Sequence, residues 1–174
     1  MNDLIILATL LPGPKHGYLL KREAGYVFGQ DSMHNNIVYP LLRRFTKEGW
    51  VTRKVVPGER GQKRHLYALT PLGMKTLIER LSEYSESDAK SLEGFLTRVG
   101  LFQVLAPEAR QRILDGRTAH LEKLFEHLAG VREHFSLDSY AHETTRFLRK
   151  QVKTELNWIQ HLQKFQSSQR KEAL

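Results

Sequence analysis

The chain has 174 residues, 40% hydrophobic and 26% charged, a balance typical of a globular protein with one or two hydrophobic cores. It contains no cysteine, which excludes disulfide bonds and thiolate metal sites. Residues 1–80 carry 13 Lys or Arg against 6 Asp or Glu, whereas residues 81–174 carry 14 against 13, so most of the net charge of +8 lies in the first half. This asymmetry favours a polyanionic partner, although a basic surface without a partner would show the same charge.

The longest apolar run, "LIILATLL" at residues 4–11, is too short to span a bilayer. It follows Asp3 instead of a basic segment, so a signal peptide is not expected. A cytoplasmic location is the resulting expectation. The run itself predicts a short apolar helix that ends at "PGP", residues 12–14.

Two further helices are predicted before residue 50. One begins near Gly17, and the other lies in "HNNIVYPLLRRFTKEGWV", residues 34–51, where Gly49 ends it. Asn35 and Asn36 could cap the start of that third helix. Pro40 is tolerated only near a helix N-terminus, where the early N–H groups have no partner in the helix. We therefore expect a distorted first turn with an exposed polar face.

A β-hairpin follows the third helix. Residues 51–56 and 64–69 alternate in polarity on either side of "PGERGQ", a turn by its Gly and Pro content. Thr70 is then expected to cap a new helix with Pro71 in its first position. The order helix, helix, helix, two-stranded hairpin, helix is that of a winged helix-turn-helix.

The second half, from about residue 86, is predicted to be helical, with breaks near 106–107 and 136–138. Leucines and other apolar residues recur every seven positions along it, with Arg117 as one polar interruption. Such a stripe is either an intrachain core or, in part, a contact between two chains, and we favour the second interpretation. The predicted dimerisation residues are Leu114, Leu121, Leu124, Leu128, Val131, Phe135, Leu156, Trp158, Ile159 and Leu162.

Three blocks of the first half resemble the signature blocks of PadR-type transcriptional regulators. They are "LPGPKHGYLLKREAG", "VYPLLRRFTKEGWV" and "RHLYALTPLGMKTL", and together they cover roughly residues 4–82. The resemblance implies a mainly α fold with a small two-stranded β wing, in which residues 1–84 bind DNA and residues 85–174 form a helical dimerisation domain. It also implies a homodimer on a palindromic operator and release from DNA by a small-molecule effector.

In a winged helix-turn-helix, the N-terminal end of the third helix enters the major groove. Asn35 or Asn36 could then read adenine and Arg43 a guanine or phosphate, with simple capping or a solvated face as the alternatives. Tyrosines and the basic wing tip would hold phosphates, or the wing charges would serve only solubility. The predicted DNA-binding residues are Tyr18, Asn35, Asn36, Tyr39, Arg43, Arg44, Arg60, Lys63 and Arg64.

The sequence lacks the common motifs of an enzyme: there is no nucleophile elbow, zinc-protease motif or dinucleotide-binding glycine set. No catalytic residue, metal or cofactor is therefore expected. His120, His127 and His134 lie two helical turns apart, about 10 Å, which is too far for one metal ion. The leading prediction is a sequence-specific dimeric repressor. A low-specificity architectural DNA binder and a winged-helix protein-interaction module are the alternatives.

Overall fold

The computed structural model describes residues 1–26, 34–57, 63–134 and 139–172, and these residues form eight α-helices, one short 3-10 helix and three strands. Contacts divide the chain into two compact units. The first comprises Met1–Glu83 and Leu96–Leu105, and the second comprises Tyr84–Phe95 and Ala106–Leu174.

The elements follow the predicted winged-helix order, which the structure confirms. They are α1 (Asn2–Thr9), β1 (Lys15–His16), α2 (Gly17–Tyr26), α3 (Asn35–Lys47), β2 (Val51–Pro57), β3 (Lys63–Leu69), α4 (Pro71–Ser82), α5 (Glu86–Lys90), α6 (Leu92–Val99), the 3-10 helix Phe102–Val104, α7 (Pro107–His134) and α8 (Ser139–Glu172).

The apolar helix α1 is the centre of the first unit. Its residues Ile5, Ile6 and Leu7 are almost completely buried and pack with α2, α3 and α4, which contribute among others Leu42 and Phe45. Full burial of each such side chain favours folding by about 1.5–3 kcal/mol. The run "LIILATLL" is therefore a buried core helix, consistent with its short length.

The sheet is antiparallel and has the strand order β1-β3-β2. The predicted hairpin is confirmed, with β2 and β3 paired from Val51 opposite Leu69 to Pro57 opposite Lys63. The structure adds a third strand, because Lys15 pairs with Tyr67. A strand of two residues is too short to produce an alternating pattern, so the sequence did not predict it.

Helix α3 starts differently from the prediction. His34 is its N-cap residue without a side-chain cap hydrogen bond, and Asn35 and Asn36 are already in the helix, so the proposed asparagine cap is wrong. Pro40 accordingly lies in the second turn, where it removes the amide that would bond to the carbonyl of Asn36. The polar first turn is exposed, as expected. The end of α3 is confirmed: Gly49 has a left-handed φ of 74°, which favours glycine.

The start of α4 also confirms the prediction. The Thr70 side chain accepts a hydrogen bond from the Gly73 amide at 3.0 Å, and Pro71 is the first helical residue. Gly73 itself has no room for a side chain, because a Cβ there would lie 2.0 Å from the carbonyl oxygen of Trp50. The cap thus fixes α4 against the segment that leads into β2.

The second unit contains the two longest helices, α7 with 28 residues and α8 with 34. Helix α7 begins at Pro107, as predicted, whereas the second predicted break lies at residues outside the described part of the chain. Leu114, Leu121 and Ile159 are almost completely buried within the single chain. Leu128 is 8% exposed, and Leu124, Leu156, Trp158 and Leu162 are partly exposed. Phe135 and the side chain of Val131 are outside the described residues.

Arg117, the polar interruption of the heptad pattern, is buried in an ion pair between the long helices. Its Nε and Nη2 atoms donate to the Glu155 carboxylate at 2.6 and 2.9 Å, and its Nη1 donates to the carbonyl of Ala89. The guanidinium also lies 5.6 Å from the centre of the Phe95 ring. The two side chains are only 5% and 15% exposed, so this pair is satisfied in a nearly dry environment.

Candidate nucleic-acid interface

The candidate interface begins where α2 and α3 meet. A Cβ on Gly17 would lie 2.9 Å from the Cε1 atom of Tyr39, so glycine is needed for the tyrosine ring to reach the start of α2. Tyr18, the next residue, is 67% exposed. The "HGY" sequence, residues 16–18, therefore has a physical reason: Gly17 leaves room for the ring of Tyr39, and Tyr18 faces solvent.

The polar face of α3 consists of residues spaced by four. Asn35, Tyr39 and Arg43 lie on one side of the helix because residues four apart are neighbours on its surface. All three are exposed, as is Asn36. Arg43 makes no ion pair within the described part of the chain. This face can therefore offer amide, phenol and guanidinium groups to a ligand.

Arg44 lies on a different side of α3 from Arg43. Its guanidinium is 4.0 Å from the Asp3 carboxylate and 5.2 Å from the centre of the Phe45 ring. Asp3 also pairs with Arg80 at 2.6 Å. The two adjacent arginines thus have different surroundings, and only Arg43 shares the face of Tyr39.

A cavity of about 580 Å³ joins α2, α3 and β3 on this side of the first unit. It brings together four of the predicted DNA-binding residues from distant parts of the sequence: Tyr18, Tyr39, Lys63 and Arg64. Lys63 and Arg64 are exposed at the described end of the wing, whereas Arg60 lies outside the described residues. The cavity does not include Asn35, Asn36 or Arg43.

Five lining residues of this cavity were not among the predicted ones: the polar His16, His65 and Tyr67, and also Gly17 and Leu19. The His65 ring nitrogen Nε2 is 2.6 Å from Arg53 Nη2, and His16 Nδ1 is 3.3 Å from the His65 carbonyl oxygen. Only the pairing of β1 with β3, in which His16 lies opposite Leu66, brings His16 to this strand.

Tyr67 is a neutral hydrogen-bonding group in this environment. Burial raises the pKa of its phenol, and Tyr39 adds to that effect, while Arg53 and Arg43 oppose it without cancelling it. The phenol therefore keeps its proton over the physiological range and is able to donate to a phosphate oxygen.

No group of three or more His, Asp or Glu side chains within the described residues is arranged to hold a metal ion. None of the described helices is both long and apolar enough to cross a membrane.

Comparison with known proteins gives a family match for the first unit. Residues 6–79 match the model of the Transcriptional regulator PadR-like family. No curated protein matches the chain in sequence.

Several solved structures resemble the chain. Bacillus subtilis PadR in complex with operator DNA is 18% identical over 92% of this chain and 96% of that one, with a TM-score of 0.46. Bacillus subtilis PadR in complex with p-coumaric acid is 19% identical over 92% of each chain, with a TM-score of 0.41. TA0346 from Thermoplasma acidophilum is 30% identical over 45% of this chain and 75% of that one, with a TM-score of 0.42.

Proposed function

Because residues 6–79 place this chain in the Transcriptional regulator PadR-like family, we propose that it is a sequence-specific DNA-binding repressor that acts as a homodimer on a palindromic operator. In this proposal residues 1–84 bind DNA and residues 85–174 carry dimerisation and the response to a small-molecule effector. The observation that supports DNA binding most directly is the gathering of exposed tyrosines and cations from α2, α3 and β3 around one cavity.

The contacts divide into two kinds. Asn35 and Asn36, in the exposed first turn of α3, and Arg43, two turns further along the same helix, would read base edges in the major groove. Phosphate contacts, which position the protein without reading sequence, would come from the tyrosines and the wing. The proposed phosphate-binding residues are Tyr18, Tyr39, Arg60, Lys63 and Arg64, with Tyr67 and His16 added by the structure.

Arg44 is a weaker base-reading candidate than Arg43. Its proximity to Asp3 and Phe45 restrains its side chain toward the protein, although it remains 45% exposed. We therefore assign Arg44 a supporting phosphate contact.

Fluorescence anisotropy would test DNA binding, using a labelled duplex from upstream of the protein's own coding region and a scrambled duplex of the same length. We expect Arg43→Ala to weaken specific binding by about 1–3 kcal/mol, the value of one bidentate base contact. Arg44→Ala should weaken it less, and Lys75→Ala, an exposed change on α4, serves as the control.

Equal affinity for both duplexes, with the salt dependence dominating, would contradict sequence-specific regulation and favour the architectural alternative. Absence of binding to either duplex at low salt would contradict a DNA-binding function for the surface around the α2, α3 and β3 cavity. It would favour the protein-interaction module. An Arg44→Ala loss larger than that of Arg43→Ala would reverse the assignment within the pair.

Dimerisation is supported by the apolar surface that α8 leaves exposed in a single chain. Phe147, Leu148 and Phe165 are 58%, 40% and 56% exposed. Together with the partly exposed members of the predicted stripe, such as Leu124 and Trp158, they offer a second chain more contact than the fully buried Leu114 and Leu121. Sedimentation equilibrium of the wild type and of Phe147→Glu tests this, and a monomeric wild type would contradict it.

A further inference from the structure

The wing contains an arginine and a histidine whose side chains are hydrogen-bonded to each other. Arg53 on β2 approaches His65 on β3, with 2.6 Å between the arginine Nη2 and the histidine Nε2. Arg53 is exposed, and it forms no ion pair with an acidic side chain within the part of the chain that the structure describes. Neither residue has a role among the base and phosphate contacts of the proposed function, so the contact needs a separate explanation.

The contact determines how the His65 ring is protonated. A guanidinium is always charged and can only donate, so the Nε2 atom of His65 must accept, and the ring is neutral with its proton on Nδ1. The Nδ1 atom is buried and has no hydrogen-bond partner within the described residues. The ring therefore offers its one acceptor nitrogen to Arg53.

The strand register places this pair on the face of the hairpin that carries Tyr67. Arg53 lies opposite Tyr67 in the pairing of β2 with β3, and His65 comes two residues before Tyr67. Cross-strand partners share a face of the sheet, as do residues two apart in a strand, so Lys54 lies on the other face. His65 and Tyr67 both line the cavity of about 580 Å³ formed by α2, α3 and β3. The bond to His65 therefore holds the Arg53 guanidinium beside the wall of that cavity.

We propose that Arg53 is a further residue that binds a DNA phosphate, and that His65 is the positioning residue that holds it for this contact. A guanidinium has five N–H donors, and the bond to His65 uses one of them, so the others remain for phosphate oxygens. An arginine side chain loses rotamer freedom when it binds, and the bond to His65 removes part of that loss before DNA arrives. This inference rests on the proposed function, since the phosphate belongs to the same duplex.

Fluorescence anisotropy with the upstream duplex and the scrambled duplex tests the role of Arg53. We expect Arg53→Gln to weaken binding to both duplexes by about tenfold, because a phosphate contact carries no sequence information. The slope of log affinity against log salt should become shallower by about 1. Lys54→Gln removes the same charge from the opposite face of the same strand and should weaken binding by less than about twofold. Equal losses in the two variants, or an unchanged affinity and slope in Arg53→Gln, would overturn the proposal.

Two substitutions of His65 separate positioning from a structural role. The amide oxygen of glutamine can accept from Arg53, so His65→Gln should keep the DNA affinity within about twofold, whereas His65→Ala should lower it by about fivefold. In the Arg53→Gln background, His65→Ala should cause no further loss, because a positioning residue acts only through the residue that it holds. Equal losses in His65→Gln and His65→Ala, or additive losses in the double variant, would overturn the positioning role.

NMR of the imidazole nitrogens tests the pair without DNA. At about pH 8, where histidine is mostly neutral, we expect Nε2 of His65 to show the chemical shift of an unprotonated acceptor and Nδ1 that of an N–H group. The opposite tautomer would overturn the positioning role. Absence of DNA binding by the wild type would overturn the proposed function and the phosphate contact together. DNA binding that Arg53→Gln leaves unchanged would overturn this inference alone.

Discussion

The first unit, which contains the winged helix-turn-helix and is called the winged unit below, differs from the pair of long helices α7 and α8 in what determines the positions of its elements. In the winged unit, α3 ends at Gly49 in a left-handed conformation and α4 begins at the capping side chain of Thr70, so local chemistry determines where elements stop and start. Helices α7 and α8 run for 28 and 34 residues, and their specific contact is the buried pair Arg117–Glu155. Local signals place short elements, whereas long helices depend on particular distant partners.

The largest effect should come from breaking that distant contact. Glu155→Ala leaves the Arg117 guanidinium buried with the Ala89 carbonyl but without its carboxylate. We expect the free energy of unfolding, measured by urea denaturation, to fall by about 3 kcal/mol, since an uncompensated buried charge is costly.

The matched control replaces both charges, in the double variant Arg117→Met with Glu155→Leu. An apolar pair of similar volume should recover most of the lost stability. A double variant no more stable than Glu155→Ala would show that packing, and not the unpaired charge, causes the loss.

The next largest loss of stability is expected at Gly73, where α4 approaches the Trp50 backbone closely. In Gly73→Ala the new methyl group would meet the Trp50 carbonyl oxygen at 2.0 Å, so α4 must shift. We expect a loss of about 2 kcal/mol in thermal or urea unfolding, the usual cost of overpacking. DNA affinity should fall as well, because β2 follows Trp50 directly. Wild-type stability in this variant would contradict the close approach.

Gly130→Ala is the matched glycine substitution on α7, and we expect it to raise the free energy of unfolding instead of lowering it. A Cβ at Gly130 meets nothing within 4 Å, and alanine is the better helix former. The same unfolding measurement should show a gain of about 0.5–1 kcal/mol. A loss of stability would mean that this position of α7 needs glycine for a contact in the assembled protein.

The smallest effect is pH dependence at His120. Burial lowers the pKa of His120 from its usual 6.5, and Arg117 and Lys90 lower it further, while Glu155 opposes them. The unfolded chain therefore binds this proton more readily, and stability should rise with pH as it approaches 6.5 from the acid side. Urea denaturation at several pH values measures this dependence. In His120→Gln the free energy of unfolding should change less with pH below 6.5, and an unchanged dependence would show that other groups cause it.

Much of the winged unit could be predicted from the sequence because its signals are local. The order of helices and strands, the end at Gly49 and the cap at Thr70 each depend on neighbouring residues. The start of α3 was misplaced because Asn35 and Asn36 are good caps by type, yet the helix already begins at Asn35 and His34 is its N-cap residue. The same residues were expected at the exposed end of α3, and their exposure agrees with that expectation.

The sequence by itself determined the basic first half and the winged-helix order of elements, since charge and periodicity are properties of the chain. Tertiary structure alone decided that His16 lies beside β3, that Arg44 turns toward Asp3 and that Glu155 satisfies Arg117. Each of these contacts joins residues far apart in the chain, and no local pattern specifies which distant group will neutralise a charge. Folding selects that group, because a buried charge without a partner is too costly to keep.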